Sequence, residues 1–184
     1  MEAPGSTTLV VVGDEASQAI RSLERLANVQ AASLSEASDD EVARWQASSS
    51  APYVVHDHDP LGHVAAAWVE FFDDQSTFGV LELEIERAMD AAGRRAISVP
   101  DYYVVLHPEV LPVTWKHWWL GVLASESPTR VIPWPSADAS LASLLRRLPT
   151  GRAWPEVASW LPRVPMSVPD RVGLHVGDEP TGEA

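Results

Sequence analysis

Short runs of β-forming residues recur along this chain, and each gives way to a stretch whose apolar residues fall at helical spacing. Residues 7–12, Thr-Thr-Leu-Val-Val-Val, form the first such run, closed by Gly13. From Asp14 the period changes: Ala19, Ile20, Leu23, Leu26 and Ala27 share one helical face, Asp14 and Glu15 suit the first turn, and Asn28 ends it. Residues 29–34 read as a second strand, 35–47 as a polar helix and 51–55 as a third strand. Helices follow over 61–72 and 80–92, with Gly93 as the stop of the second. Residues 80–85 also alternate with period two, but the segment after them favours helix. Strands are expected over 96–99, 102–106 and 129–133, and helices over 112–124, 138–148 and 154–161.

Strands alternating with helices argue for a single α/β domain. The expected architecture is a doubly wound, mainly parallel sheet of about five strands with helices on both faces, in flavodoxin-like order. That domain is expected over 7–148, with a Pro- and Trp-rich extension over 149–177 packed on it and flexible tails at 1–6 and 178–184. In such a fold, ligands bind at the carboxyl ends of the strands.

A chain of 184 residues is long enough to bury a substantial core. It contains no cysteine, which excludes disulfides, thiolate metal sites and cysteine nucleophiles. The net charge of −13 repels phosphate backbones and anionic lipid, so neither a nucleic acid nor a membrane surface is the expected partner. The apolar run after Thr7 is shorter than a signal-peptide core and far short of a bilayer span, so a cytoplasmic protein is expected.

Chemistry-bearing side chains concentrate just after the third strand, where Tyr53-Val-Val-His-Asp-His-Asp-Pro-Leu-Gly-His63 holds three of the six histidines. If strands one and three are neighbours, Asp14 and Glu15 face His56, Asp57 and His58. Carboxylates beside imidazoles suit a divalent metal, and the expected ligands are His56, His58, Asp57 and Asp14. A purely structural role is also open: Asp59 before Pro60 is what a helix start prefers. Nucleotide binding at Gly13 is rejected, because one glycine is followed by two carboxylates where phosphate would sit. No G-x-S-x-G elbow is present.

The element order over most of residues 7–148 resembles the receiver domains of response regulators. Asp14 and Glu15 match that family's acidic pair and Asp57 its phospho-acceptor, while residues 130–136 and 141–148 are similar to its last strand and helix. The family's lysine near the fifth strand has no counterpart, since Pro133 and Trp134 stand there. The resemblance implies a receiver-like fold without a working phosphorylation site. His56-x-His58 is also similar to the HxH of amidohydrolases, in which alternate residues of an extended segment reach one ion.

Six of the eight tryptophans lie between Trp115 and Trp160. Trp115, Trp118 and Trp119 share a helical face and belong to a core. Trp134 and Trp154 are flanked by proline and, with Arg152, are the expected partner-binding residues. A binding or regulatory module that engages a protein partner is therefore the first expectation. A metal-dependent hydrolase at residues 55–59 is the alternative.

Overall fold

The computed structural model describes residues 6–135, 140–148 and 154–168. Its centre is a five-stranded, all-parallel sheet of order β2-β3-β1-β4-β5. The strands are β1 (Thr7–Val12), β2 (Val29–Ala32), β3 (Tyr53–His56), β4 (Tyr102–Leu106) and β5 (Val131–Trp134). A strand buried on both faces needs an unbroken apolar run. Leu9, Val10 and Val11 supply one and are fully buried at the middle of the sheet. Val29-Gln-Ala-Ala, half-buried after its first residue, takes one edge. β5 takes the other, where Pro133, which has no N–H to give a ladder, is tolerated.

The α/β class, the parallel sheet and the five strands are as the periodicity predicts. The order departs from the flavodoxin and receiver arrangement, 2-1-3-4-5, in one place: β2 lies outside β3 instead of beside β1. The flavodoxin order would put β3 at the centre, yet β3 is four residues long and carries a histidine. The longer, wholly aliphatic end of β1 fills that position instead. β1 and β3 are neighbours in either order, so their carboxyl ends are adjacent, with Val10 opposite His56. The point where the winding reverses, however, moves to the gap between β1 and β4.

Alternate residues of the strands feed two core layers. Leu9, Val11, Val55, Tyr102, Val104 and Leu106 pack against α1 (Ala16–Arg21), the turn after it and α7 (Leu141–Leu145) through Ile20, Leu23, Leu141, Leu144 and Leu145. Val10, Val12, Tyr103, Val105 and Val131 face the larger layer, built on α3 (Gly62–Phe72) and α4 (Phe78–Gly93). That layer also takes Trp118, Trp119, Val122 and Leu123 from a helical run in three parts. The run begins as α5 (Val113–His117), widens into a π-helix over Trp118–Leu123 and ends as α6 (Ala124–Glu126). Trp160, Leu161 and Val164, from α8 (Val157–Trp160) and a 3₁₀ turn (Leu161–Met166), are buried in the same layer. The Trp68 indole N–H donates to the Val164 carbonyl at 3.2 Å. α2 (Asp39–Ala47) starts with a capping box, Ser38 and Glu41 each bonding the other's backbone N–H. No helix among the described residues is long and apolar enough to cross a membrane.

Two local expectations need correction. Residues 96–99 form no strand but a loop, residues 94–101, that crosses the α3/α4 face of the sheet. Gly93 is the last helical residue of α4, not its stop. The left-handed position after that helix falls on Arg95 (φ 58), where the Ala96 N–H reaches back to the Ala91 carbonyl and the Arg95 N–H to that of Ala92. This is the Schellman closure, made with an arginine where glycine is usual.

Candidate functional site

The side chains of residues 56–59 point in four directions. Asp57 turns toward β2 and α1: its carboxylate accepts from the Ser33 hydroxyl at 2.6 Å, the Ser17 hydroxyl at 3.1 Å and the Leu34 N–H at 2.5 Å. It clamps the β2–α2 connection to α1, so its lone pairs are already engaged. His58 turns the opposite way, its Nε2 lying 2.8 Å from Asp39 Oδ1 in the first turn of α2. Asp14 is exposed at the end of β1. Among the described residues no three His, Asp or Glu side chains come together as a metal site would require. The expected ligands His56, His58, Asp57 and Asp14 are thus near in sequence or topology without converging, because each is drawn to a different neighbouring element.

His56 is the inward member. It is 1% exposed, its ring meets Trp45 edge-on at 6.0 Å, and the Gln46 side-chain amide donates to Nε2 at 2.8 Å. A ring nitrogen that accepts carries no proton, so in this arrangement the proton sits on Nδ1. Nδ1 is buried and has no hydrogen-bond partner; the His58 backbone favours the charged ring without reaching it in bonding geometry. Burial pushes the His56 pKa down to about 4, and the nearby His58 adds to the effect.

Asp59 is the other buried polar group. Its Oδ1 accepts from the Leu61 N–H at 3.0 Å and from the Tyr103 hydroxyl at 2.8 Å, while Oδ2 is buried without a partner. The first contact closes the turn before α3, but Asp59 is not the helix cap that Asp59-Pro60 predicts, because the helix starts two residues later, at Gly62, with Leu61 at its N-cap. Burial raises the Asp59 pKa to about 6, against the two hydrogen bonds that favour its charged form. The same burial, with the adjacent Asp59 charge, lifts the Tyr103 phenol well above its ordinary value.

A close backbone approach and a cleft flank these groups. At the β1/β4 reversal, Gly13 (φ 100), Glu15 (φ 65) and His107 (φ 46) are all left-handed, and His107 Nε2 lies 3.8 Å from Glu15 Oε2. The backbones are so close there that a Cβ on Gly13 would stand 2.7 Å from the Leu106 carbonyl oxygen. On the α3/α4 face, a cleft of about 720 Å³ opens beside the amino ends of β1 and β4. The 94–101 loop, Gln46 and Trp154–Ala158 line it. A narrower cavity of about 70 Å³ runs beneath the same loop to His56 and His58, sharing Gln46, Arg95, Ile97, Ser98 and Pro100 with the cleft.

The expected partner-binding residues divide accordingly. Trp154 lines the cleft, half-buried against Tyr103 and Trp160, with its indole N–H buried and unpartnered. Trp134 is half-buried at the end of β5 on the opposite face of the sheet. Arg152 lies outside the described residues. Gln46, Tyr103, Arg95 and Ser98 carry no signal in the sequence; only the strand register and the loop's path bring them to His56 and Asp59. An α/β domain with a cleft away from the usual strand-end position is the class that fold and site define. No protein-family model matches the chain, and comparison with curated proteins and with solved structures gives no match either.

Proposed function

We propose that this protein is a binding module that engages a protein partner, and that the partner's contacting segment lies in the cleft between Trp154–Ala158 and the 94–101 loop. The observation that carries the reading is the cleft itself. Its volume of about 720 Å³ is within the range of sites that enclose a ligand. It is walled by an aromatic residue, Trp154, half-buried against Tyr103 and Trp160, and by an arginine, Arg95, held in a strained backbone conformation. Strain of that kind costs on the order of 1–3 kcal/mol and persists where surrounding structure or function demands it. Tryptophan and arginine are the residue types that anchor interfaces.

The reading does not require catalysis. Behind the cleft, His56 accepts from Gln46, His58 pairs with Asp39, and Asp59 accepts from Tyr103 and the Leu61 N–H.

A photo-reactive residue at Ser98 tests this. Cross-linking in cells should give one dominant adduct at that position, mapped by mass spectrometry to a defined segment of the partner. Trp154→Ala should abolish the adduct while the protein remains folded by circular dichroism. An adduct that survives Trp154→Ala unchanged, or that appears equally from a probe at exposed Leu83, would overturn the proposal.

A further inference from the structure

We infer that residues 97–99 are a strand left without a sheet, and that the partner's segment adds to them as an extended chain, bonded backbone to backbone. The inference rests on the cleft being the partner site and names the kind of segment that fills it.

Ala-Ile-Ser-Val over residues 96–99 has the composition of a strand. From Ile97 to Pro100 the chain runs without turn or bend, and Val99, preceding a proline, is confined to extended backbone. Ile97 and Val99 are half-buried against the larger core layer while Ser98 between them is exposed, the alternation of a strand with one covered face. Yet among the described residues no backbone N–H or C=O of Ile97, Ser98 or Val99 has a hydrogen-bond partner. Backbone groups that the fold leaves unpaired must meet water or another chain.

The sheet has no place for this segment, because β4 is flanked on both sides. Its ends are pinned: the Ala96 N–H returns to the Ala91 carbonyl, and the Asp101 carboxylate accepts from the Thr8 N–H at 2.8 Å. A pinned, extended segment with free donors and acceptors is a template for one more strand. Ile97, Ser98 and Val99 line one side of the cleft of about 720 Å³, and Trp154, Pro155 and Val157 line the other. The first side supplies backbone bonds and the second apolar contact, so the segment that fits is extended, with apolar side chains at alternate positions. Pro100 offers no N–H, which ends the pairing there. Charge sets the flanks. The lining holds Asp101 and Glu156 against Arg95, and the chain as a whole carries −13, so a basic residue beside the apolar positions is favoured.

The probe is a displayed library of seven-residue peptides with alternate apolar positions and a lysine at each end, selected on the folded protein. The tightest peptide, made synthetically, should slow hydrogen exchange at amides of residues 97–99. N-methylation of alternate peptide residues should abolish binding in one phase and be tolerated in the other. An ester in place of the amide N–H at Ile97 or at Ser98, introduced through the corresponding α-hydroxy acid, keeps each side chain. One of the two should weaken the peptide roughly fivefold, the loss of one hydrogen bond, and the other should not, because neighbouring residues turn their N–H groups to opposite edges. Neither should alter unfolding by urea, since the fold uses neither group.

Peptides enriched equally on Trp154→Ala protein, N-methylation tolerated at every position, or two silent esters would overturn the inference. If the segment mapped from the Ser98 cross-link binds as a peptide without slowing exchange at residues 97–99, the module stands and this inference falls. Library peptides that pair there while cells yield no adduct would sink the module and keep the pairing edge.

Discussion

His56 and Asp59 both lie inside the fold, and the interior acts on them in opposite senses. His56 titrates at about 4 folded, against 6.5 in the unfolded chain, so it binds fewer protons when native. Its contribution is present above pH 6.5 and lost as pH falls through about 4. Asp59 titrates at about 6 against 3.8, so it binds more protons when native. Its contribution is present below about pH 4 and lost as pH rises through 6. Each effect is on the order of 3 kcal/mol, and between pH 4 and 6 they oppose one another. Relative to wild type, Asp59→Asn should therefore lose more stability on acidification over that window, and His56→Gln should lose less or gain. Urea unfolding at pH 4.5, 5.5 and 6.5 measures both slopes; two variants that keep the wild-type slope would contradict the assignment. At Asp57 the expectation is simpler. Asp57→Ala removes the acceptor for Ser33, Ser17 and Leu34 and should cost about 2 kcal/mol at neutral pH. These roles were only partly legible in the sequence. A turn at Asp59 was readable from Asp-Pro, though not as the cap of α3, and its second partner, Tyr103, lies 44 residues away on β4. The cluster of His and Asp after β3 looked like one site because spacing in sequence says nothing of which neighbour each side chain will find.

At the scale of elements, periodicity was a good guide wherever one face of a segment is buried, and a poor one at termini. β1 and α3 lie where their apolar runs put them, while α1 ends at Arg21 and the expected face at Leu26 is carried on by turns. Residues 96–99 misled because Ala-Ile-Ser-Val has strand composition but no strand to pair with: β4 is already flanked by β1 and β5. α2 is polar and contributes one buried apolar residue, Val42, so its start depends on the cap. Ser38→Ala should destabilise the protein by about 1 kcal/mol, measured by chemical denaturation. The end of α4 gives a sharper test. Arg95→Gly should relieve the left-handed strain and leave stability equal or raised by up to about 1 kcal/mol, measured by chemical denaturation. A loss of stability instead would show that the arginine side chain is held there by contacts that outweigh the strain.

Across the whole molecule, the tryptophans of the second half join what the chain order separates. Trp68, Trp118 and Trp160 are fully buried in the layer between α3, α4 and the α8 turn. Trp160→Ala should cost about 3–5 kcal/mol, the range for emptying a buried aromatic site, and a chain cut after residue 148 should lose cooperative unfolding, since Trp68 would lose both cover and its Val164 acceptor. Calorimetry of the truncated chain decides the matter; a sharp transition there would mean that the last segment is dispensable.

The approach of β1 to β4 at Gly13 bears on how this sequence can vary. With 2.7 Å between a hypothetical Cβ and the Leu106 carbonyl, and φ at 100°, every other residue meets backbone that cannot yield. In a saturation library selected for folded protein, position 13 should accept glycine alone. Asp14, one residue on and exposed, should accept nearly anything. Such a profile would separate a position fixed by backbone geometry from neighbours that the fold leaves free to vary.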